Sequence, residues 1–518
     1  MSSTAGAPRS PAPVVAGIDV ATAAVRVVCA DARGRVLAEG RAALPQPVRG
    51  AGGHSEQDAR AWWPATAAAL RQATAALPGG GREVLAVAVS ATSGTLVLAD
   101  ADGEPVGPAL MYDDRRAAGL NAEAQGLGAP RWRALGLTVG PTAALGKLVW
   151  YANRSRPGQL LLHTPDLLGR RLTGHPVATD WSHALKTGYD PRAGEWATEV
   201  FDAFDVPSGL LPAVRAPGTE AGTVSARAAA ETGLPVGCRV RLGMTDGCAG
   251  QIATGAVEPG QFVGVLGTTY VLKGVTRELV TDPAGALYSH RHPDGWWLPG
   301  GASNTGGEAL AAVDPARLPG LDAAADARGP ASYLDYPLRR EGERFPFVRG
   351  EARGFRTGAP QDEADRHRAA LEGVAFLERL ALEHVQALGV EVRGPLHAAG
   401  GGSRSDLWTR IRATVLGRPL RVAGRAETAF GAALLAAAGT LHPDLSASAA
   451  AMTAAGRQVD PVERERAALD ESYEGFVAQL RARGWLAPLR DQAGEGPSGA
   501  DHAGCGDPGG VGATQRGG

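Results

Sequence analysis

The chain has 518 residues, 44% of them hydrophobic and 20% charged, and its formal net charge is −2. One hydrophobic core rarely grows past about 250–300 residues, so two domains are expected. Scattered, nearly balanced charge excludes a nucleic-acid or membrane-surface binder, which needs a concentrated basic face, and no apolar run reaches the roughly 18 residues of a membrane span.

In chain order, residues 1–12 form a Pro/Ser/Ala leader, predicted to be disordered. It contains no apolar core of a signal peptide before Gly17, which predicts a cytoplasmic protein. Residues 13–257 and 258–485 are the two expected domains. The first opens with "VVAGID" and "VRVVCADARGRVLAEG", read as strands around turns, the second turn at Ala32–Gly34. "DARAWWPATAAALRQATAAL" has helical spacing behind an aspartate. "EVLAVAVSA" and "GTLVLAD" continue as strands, with a turn at Ala101–Gly103.

The second half repeats the device. "GQFVGVLGTTYVLKGVT" is strand, small turn, strand, and "RAALEGVAFLERLALEHVQALG" is an amphipathic helix. "PLHAAGGG" and "SRSDLWTRIRATVLG" give strand, glycine loop and helix, and "ETAFGAALLAAAG" is a helix of small residues. The pattern is a weak internal repeat: two α/β domains facing across a cleft, linked near residues 253–261. The tail 486–518 is Gly-rich and predicted to be disordered. Cys29, Cys238, Cys248 and Cys505 form no CxxC and are read as reduced bystander thiols.

Several stretches carry possible chemistry. In "GIDVATAAVR", Asp19 ends a strand and Thr22 lies in the bend. Such a bend gathers N–H groups and a hydroxyl suited to phosphate, and the carboxylate suits Mg²⁺; an ordinary capped hairpin is the alternative. Gly267, Thr268 and Thr269 offer the same arrangement in the second half. Gly400, Gly401, Gly402 and Ser403 let backbone approach a ligand ahead of a helix N-terminus, or form a flexible turn. "GPTAALGKL" lacks Walker A spacing. Asp246, in "LGMTDGCAGQ", follows an apolar run, and its small neighbours leave room for a ligand. It is a candidate to take the proton of an attacking alcohol, or a helix cap. His290 and His292 have no third ligand nearby in the sequence and are read as strand or loop histidines.

Taken together and in order, these stretches resemble the FGGY carbohydrate kinases, from about Val14 to Leu480. "SEQDARAWW", "GMTDGCAG", "GVLGTTYVL" and "LHAAGGGSRSDLWTRIRATVLGRPL" are similar to that family's motifs. The resemblance implies two actin-like, ribonuclease H-like domains with ATP and Mg²⁺ in the cleft and domain closure on both substrates. It implies Thr22, Arg26, Gly267, Thr268, Thr269 and Gly400–Ser403 at the nucleotide, Asp19 and Asp246 at the metal, and Asp246 as base. A homodimer is a family expectation.

Two departures stand out. Ala21 and Ala23 replace the usual Gly and Ser of the first motif, and Thr92, Ser93 and Gly94 fill the slots where xylulokinases usually carry Q-M-H. With "MYDDRR", "ALKTGYDP" and "YSHRHPDGWWLPGGASNTGG", this resembles a D-ribulokinase subgroup. The resemblance implies D-ribulose, phosphorylated on its terminal hydroxyl, with Thr92, Ser93, Asp114 and Asp246 lining the sugar site. D-xylulose or another ketose or polyol is the alternative substrate. A non-catalytic sugar sensor on the same fold would need no base.

Overall fold

A computed structural model describes residues 12–486. The expectations for the leader and the Gly-rich tail fall almost wholly outside those residues. The first half is built on β1 (Val14–Val20), β2 (Ala24–Asp31) and β3 (Val36–Ala43), an antiparallel meander in which Asp19 lies opposite Arg26. β1 is buried along its whole length because helices cover both faces of the sheet. One cover is α1 (Trp62–Ala75), entered through a tight turn where the Asp58 side chain accepts the Arg60 N–H. β4 (Val84–Ala91) runs parallel to β1. The short helix α2 (Trp181–Leu185) and the edge strand β5 (Glu220–Thr223) precede β6 (Arg239–Thr245), which is parallel to β4. The sheet order is β5-β6-β4-β1-β2-β3.

"GTLVLAD" does form a strand, Leu96–Ala99, but in a separate five-stranded sheet with Leu160–His163 and three shorter segments. Much of residues 110–235 is short helices and two-residue strands, too brief for either hydrophobic period to register in the sequence.

Helix α3 (Asp246–Ala253) follows β6 directly, and the chain then enters the second sheet. Its strands are β7 (Phe262–Leu266), β8 (Tyr270–Gly274), β9 (Tyr288–Arg291), β10 (Trp297–Ala302), β11 (Leu396–Ala399), β12 (Leu420–Val422) and β13 (Arg457–Val459), in the order β9-β10-β8-β7-β11-β12-β13. The first strand of each half is antiparallel to the second and parallel to its other neighbour in the sheet, β4 or β11. The two halves are therefore the same α/β plan used twice. Helices α4 (Glu363–Ala387), α5 (Asp406–Leu416) and α7 (Glu463–Ala482) contribute to the core of the second half. Inside it, the fully buried Arg412 pairs with Glu378 and donates to the Gly264 carbonyl, tying α4 and α5 to β7.

Helix α6 (Thr428–Ala437) belongs to the second half by sequence yet packs on β1 and α3. The approach is close: a Cβ on Gly17 would come within 1.9 Å of the Ala429 carbonyl, and one on Gly431 within 1.9 Å of the Ala249 carbonyl. Val15, Met244, Ile252, Val275 and Phe430 share one apolar cluster across the two halves. Among the described residues no helix is long and apolar enough to cross a membrane.

Candidate active site

Because β1, β4 and β6 are parallel neighbours, their carboxyl ends open on one edge, where ligands of α/β sheets bind. The register puts Val20 and Thr245 both opposite Ala91. Asp19, Thr92 and Asp246 are thereby brought to the same edge. Thr92 donates its N–H to the Val20 carbonyl at 3.4 Å.

Asp19 is 5% exposed and accepts a 3.0 Å hydrogen bond from Arg26. Burial pushes its carboxyl up to about 6; Arg26 opposes the rise and the Asp246 charge adds to it. A buried carboxyl that feels the charge of a second carboxylate is a fitting place for a hard cation that takes few protein ligands and keeps its waters. Thr22 stands half-buried at the tip of a tight turn closed by the Ala21 N–H to the Ala24 carbonyl. The Gln57 amide holds the Thr22 carbonyl at 2.9 Å while accepting the Trp62 indole N–H. "SEQDARAWW" thus braces the turn from behind.

Asp246 is the first residue of α3, and its Oδ1 accepts the Gly247 N–H at 2.7 Å. The backbone just before it is pinned by a buried network. The Thr245 N–H donates to Ser182 Oγ at 2.9 Å, and Ser182 Oγ donates to Asp180. The other Asp180 oxygen lies 2.6 Å from His183 Nδ1, and His183 Nε2 faces the Ala91 carbonyl at 3.3 Å. Burial alone would lower the His183 pKa, but the Asp180 carboxylate outweighs it and holds the imidazole above its usual value. One short helix, α2, therefore couples the end of β4 to the start of α3.

In the second half β7 and β11 end side by side. Gly267 and Thr268 line a cavity of about 880 Å³ with Gly401 and Gly402, well within the size range of nucleotide and drug-sized sites. The loop 267–269 is held by backbone bonds from Gly307 to Gly267 and from Glu308 to Thr268. Thr269 is half-buried at its end. Gly400 has φ +89°, and a Cβ there would meet the Leu266 carbonyl at 2.4 Å, so only glycine fits. At Gly401 a Cβ would meet nothing within 4 Å.

Two expected contacts are placed elsewhere. Ser403 is buried with its hydroxyl donating to the Ala399 carbonyl and receiving Arg412; it caps the loop internally instead of facing the cavity. Asp114 is fully buried, bound by Arg116 and by the Ser55 N–H, so its carboxylate is already engaged within the protein. The Ser93 hydroxyl is buried without a hydrogen-bond partner, which leaves it available.

The sequence reading passed over Lys147, which is fully buried. Its ammonium donates to the carbonyls of Gly94, Met111 and Tyr112, fixing the loop after β4. Burial brings its pKa down to about 8. It also passed over Asp180, Ser182 and His183. A polar pair at i, i+3 in "DWSH" was the only available signal, and local spacing alone does not reveal burial.

Comparison with known proteins gives one consistent picture. Models described as the FGGY family of carbohydrate kinases match at residues 14–253 for the N-terminal domain and 261–440 for the C-terminal domain. A xylulose kinase of Streptomyces rubiginosus is 32% identical over 471 residues, 88% of this chain and 95% of that protein. An erythritol kinase of Brucella abortus is 29% identical over 93% of this chain and 98% of its own length. The crystal structure of xylulose kinase from Rhodospirillum rubrum superposes with a TM-score of 0.80 at 25% identity, covering 91% of this chain and 99% of that one.

Proposed function

The chain belongs to the FGGY family of carbohydrate kinases, and on that premise we propose that it transfers the terminal phosphoryl group of ATP to a pentulose, D-xylulose before D-ribulose. The observation that carries the sugar is the near full-length similarity to a xylulose kinase. D-Ribulose stays as the second reading because Thr92, Ser93 and Gly94 stand where xylulokinases usually carry Q-M-H.

In this reading Asp246 orients the attacking hydroxyl and takes its proton. Its Oδ1 is held by the Gly247 N–H, so Oδ2 is the oxygen left for the sugar. The Thr245–Ser182–Asp180 chain fixes where that carboxylate points. Thr92 and Ser93 supply hydroxyls to the sugar, with Asp114 and Lys147 positioning the wall behind them. Thr22 and Arg26 from one side, and Gly267, Thr268 and Thr269 from the other, donate to the phosphates. The backbone at Gly401 and Gly402, which Gly400 allows to come close, lines the nucleotide cavity. Asp19 and Asp246 would hold Mg²⁺, which when bound neutralises phosphate charge.

The test is coupled ADP release with Mg-ATP against D-xylulose, D-ribulose, L-ribulose, ribitol and glycerol. D-Xylulose is expected to give the highest kcat/KM, and Asp246→Asn to lower kcat by about 10²–10⁴. ADP release that ignores every sugar would sink the kinase reading in favour of a sugar sensor.

A further inference from the structure

The chain has only three lysines, Lys147, Lys186 and Lys273, among 52 basic residues. Wherever a surface positive charge is wanted this sequence uses arginine. Arginine presents a wide planar fork, whereas lysine presents a compact point charge with three donors and no acceptor. Lys147 is accounted for, its three N–H groups taken by three carbonyls. The other two are not.

Lys186 follows α2 and donates to the Tyr288 hydroxyl at 2.9 Å, lying 4.3 Å from that ring's centre. Lys273, on β8, donates to the Gly247 carbonyl at 2.6 Å, one residue past Asp246. Among the described residues neither has a carboxylate within ion-pair distance. Each ammonium therefore has donors to spare.

The second sheet brings a third group beside them. Lys273 and Tyr288 both lie opposite Gly300, and His290 is two residues beyond Tyr288 on the same face. Gly300 leaves the floor between them bare; a Cβ there would press on Lys273 Cγ at 3.1 Å. His290 is 6% exposed, and its Nε2 has no partner. Burial first, then Lys186, Lys273 and His183, hold it well below its usual pKa, so it is neutral near pH 7. Lys186 and Tyr288 also line a cavity of about 140 Å³.

Closing a cleft over two ammoniums without counter-charges is costly unless the ligand brings an oxygen rich in negative charge. The hydroxyl of a polyol is a poor match, because it also needs an acceptor. We propose that Lys186, Lys273 and His290 form the far end of the sugar site and read an sp² oxygen, a ketone carbonyl or a carboxylate, in preference to an alcohol. This rests on the reading of Asp246 as the kinase base.

The experiment compares D-xylulose, D-xylonate and xylitol, by equilibrium binding and by turnover, in the wild type and in Lys186→Met and Lys273→Met. Thermal melting checks folding, and Lys186→Gln and Lys273→Gln serve as second variants. The wild type should bind the ketose or the acid about tenfold or more tighter than xylitol, and each variant should lose most of that preference with the KM for ATP unchanged. A preference for D-xylulose identifies the ketone, and one for D-xylonate the carboxylate; either supports the subsite. Equal affinity of the wild type for xylitol, or equal losses for all three ligands, overturns it. Selective binding without phosphorylation would overturn the kinase reading and leave the subsite standing, whereas unselective turnover would do the reverse.

Discussion

Asp19→Asn should make the free protein more stable while removing its activity. The carboxyl is raised from an ordinary 3.8 to about 6, chiefly by burial. At about 1.4 kcal/mol per unit, keeping it charged at pH 8 costs the fold about 3 kcal/mol. The pairing with Arg26, whose side chain is 49% exposed, already offsets part of the burial within that shift, so it is not subtracted again. The gain is about 3 kcal/mol, or roughly 6–12 °C in melting temperature for domains of this size. The sign with pH follows from the direction of the shift. A raised carboxylate pKa means the folded state holds the proton more tightly than the unfolded chain. The penalty is therefore absent below pH 3.8 and complete only above about 6. Melting curves in chelator at pH 8, 6 and 4.5 should show the advantage of the variant shrinking as pH falls. A variant no more stable than wild type at pH 8, or equally advantaged at pH 4.5, would refute the argument that this carboxylate is held charged at the expense of the fold.

Gly401→Ala and Gly400→Ala should separate binding from folding. The first adds a methyl group to open space in the cavity, so melting should hold while the KM for ATP rises several-fold in initial-rate assays. The second drives a Cβ to 2.4 Å from the Leu266 carbonyl at φ +89°, which should cost about 1–3 kcal/mol in denaturant unfolding. Asp180→Asn leaves the buried His183 without its counter-charge and should destabilise the fold by about 3–5 kcal/mol. Its kcat should fall further than that of Ser182→Ala, which loses only the hydroxyl reaching the Thr245 N–H, with the KM for ATP unmoved in both.

What the sequence disclosed was carried by short-range pattern. Valine runs broken by small turns gave β1, β2, β7 and β8, and the 25 residues of α4 span enough turns for the helical period to stand out. The loops at 267–269 and 400–402 were legible because glycine marks backbone that must bend or approach closely. Orientation was not legible. Ser403 and Ser93 are both serines beside glycines, yet one hydroxyl is consumed by Arg412 and the Ala399 carbonyl and the other is free. Asp113 and Asp114 are adjacent, yet only Asp114 is sealed behind Arg116. Local partners such as Ala399 and Arg116 are joined by Arg412, 9 residues from Ser403, and Ser55, 59 residues from Asp114, and no local period encodes which of these contacts form.

The small residues after Asp246 show how one sequence feature can have two causes. Their size reads as space for a ligand, and at Gly247 that holds: the position is exposed and faces only the Lys273 ammonium. Cys248 and Ala249 are fully buried, and their size serves the helix beside them, since Gly431 of α6 already touches the Ala249 carbonyl at the limit of contact. The helix that begins with the proposed base is therefore clamped between β6 and a helix from the other half of the chain. α6 also lies against Gly17, in the strand that carries Asp19. Asp19 and Asp246 are consequently held relative to one another by the sheet that carries β1 and β6 and by this one helix, packed against both β1 and α3. A bulkier residue at Gly17 or Gly431 would shift that helix, and with it the spacing of the two carboxylates on which the proposed metal binding and proton transfer depend.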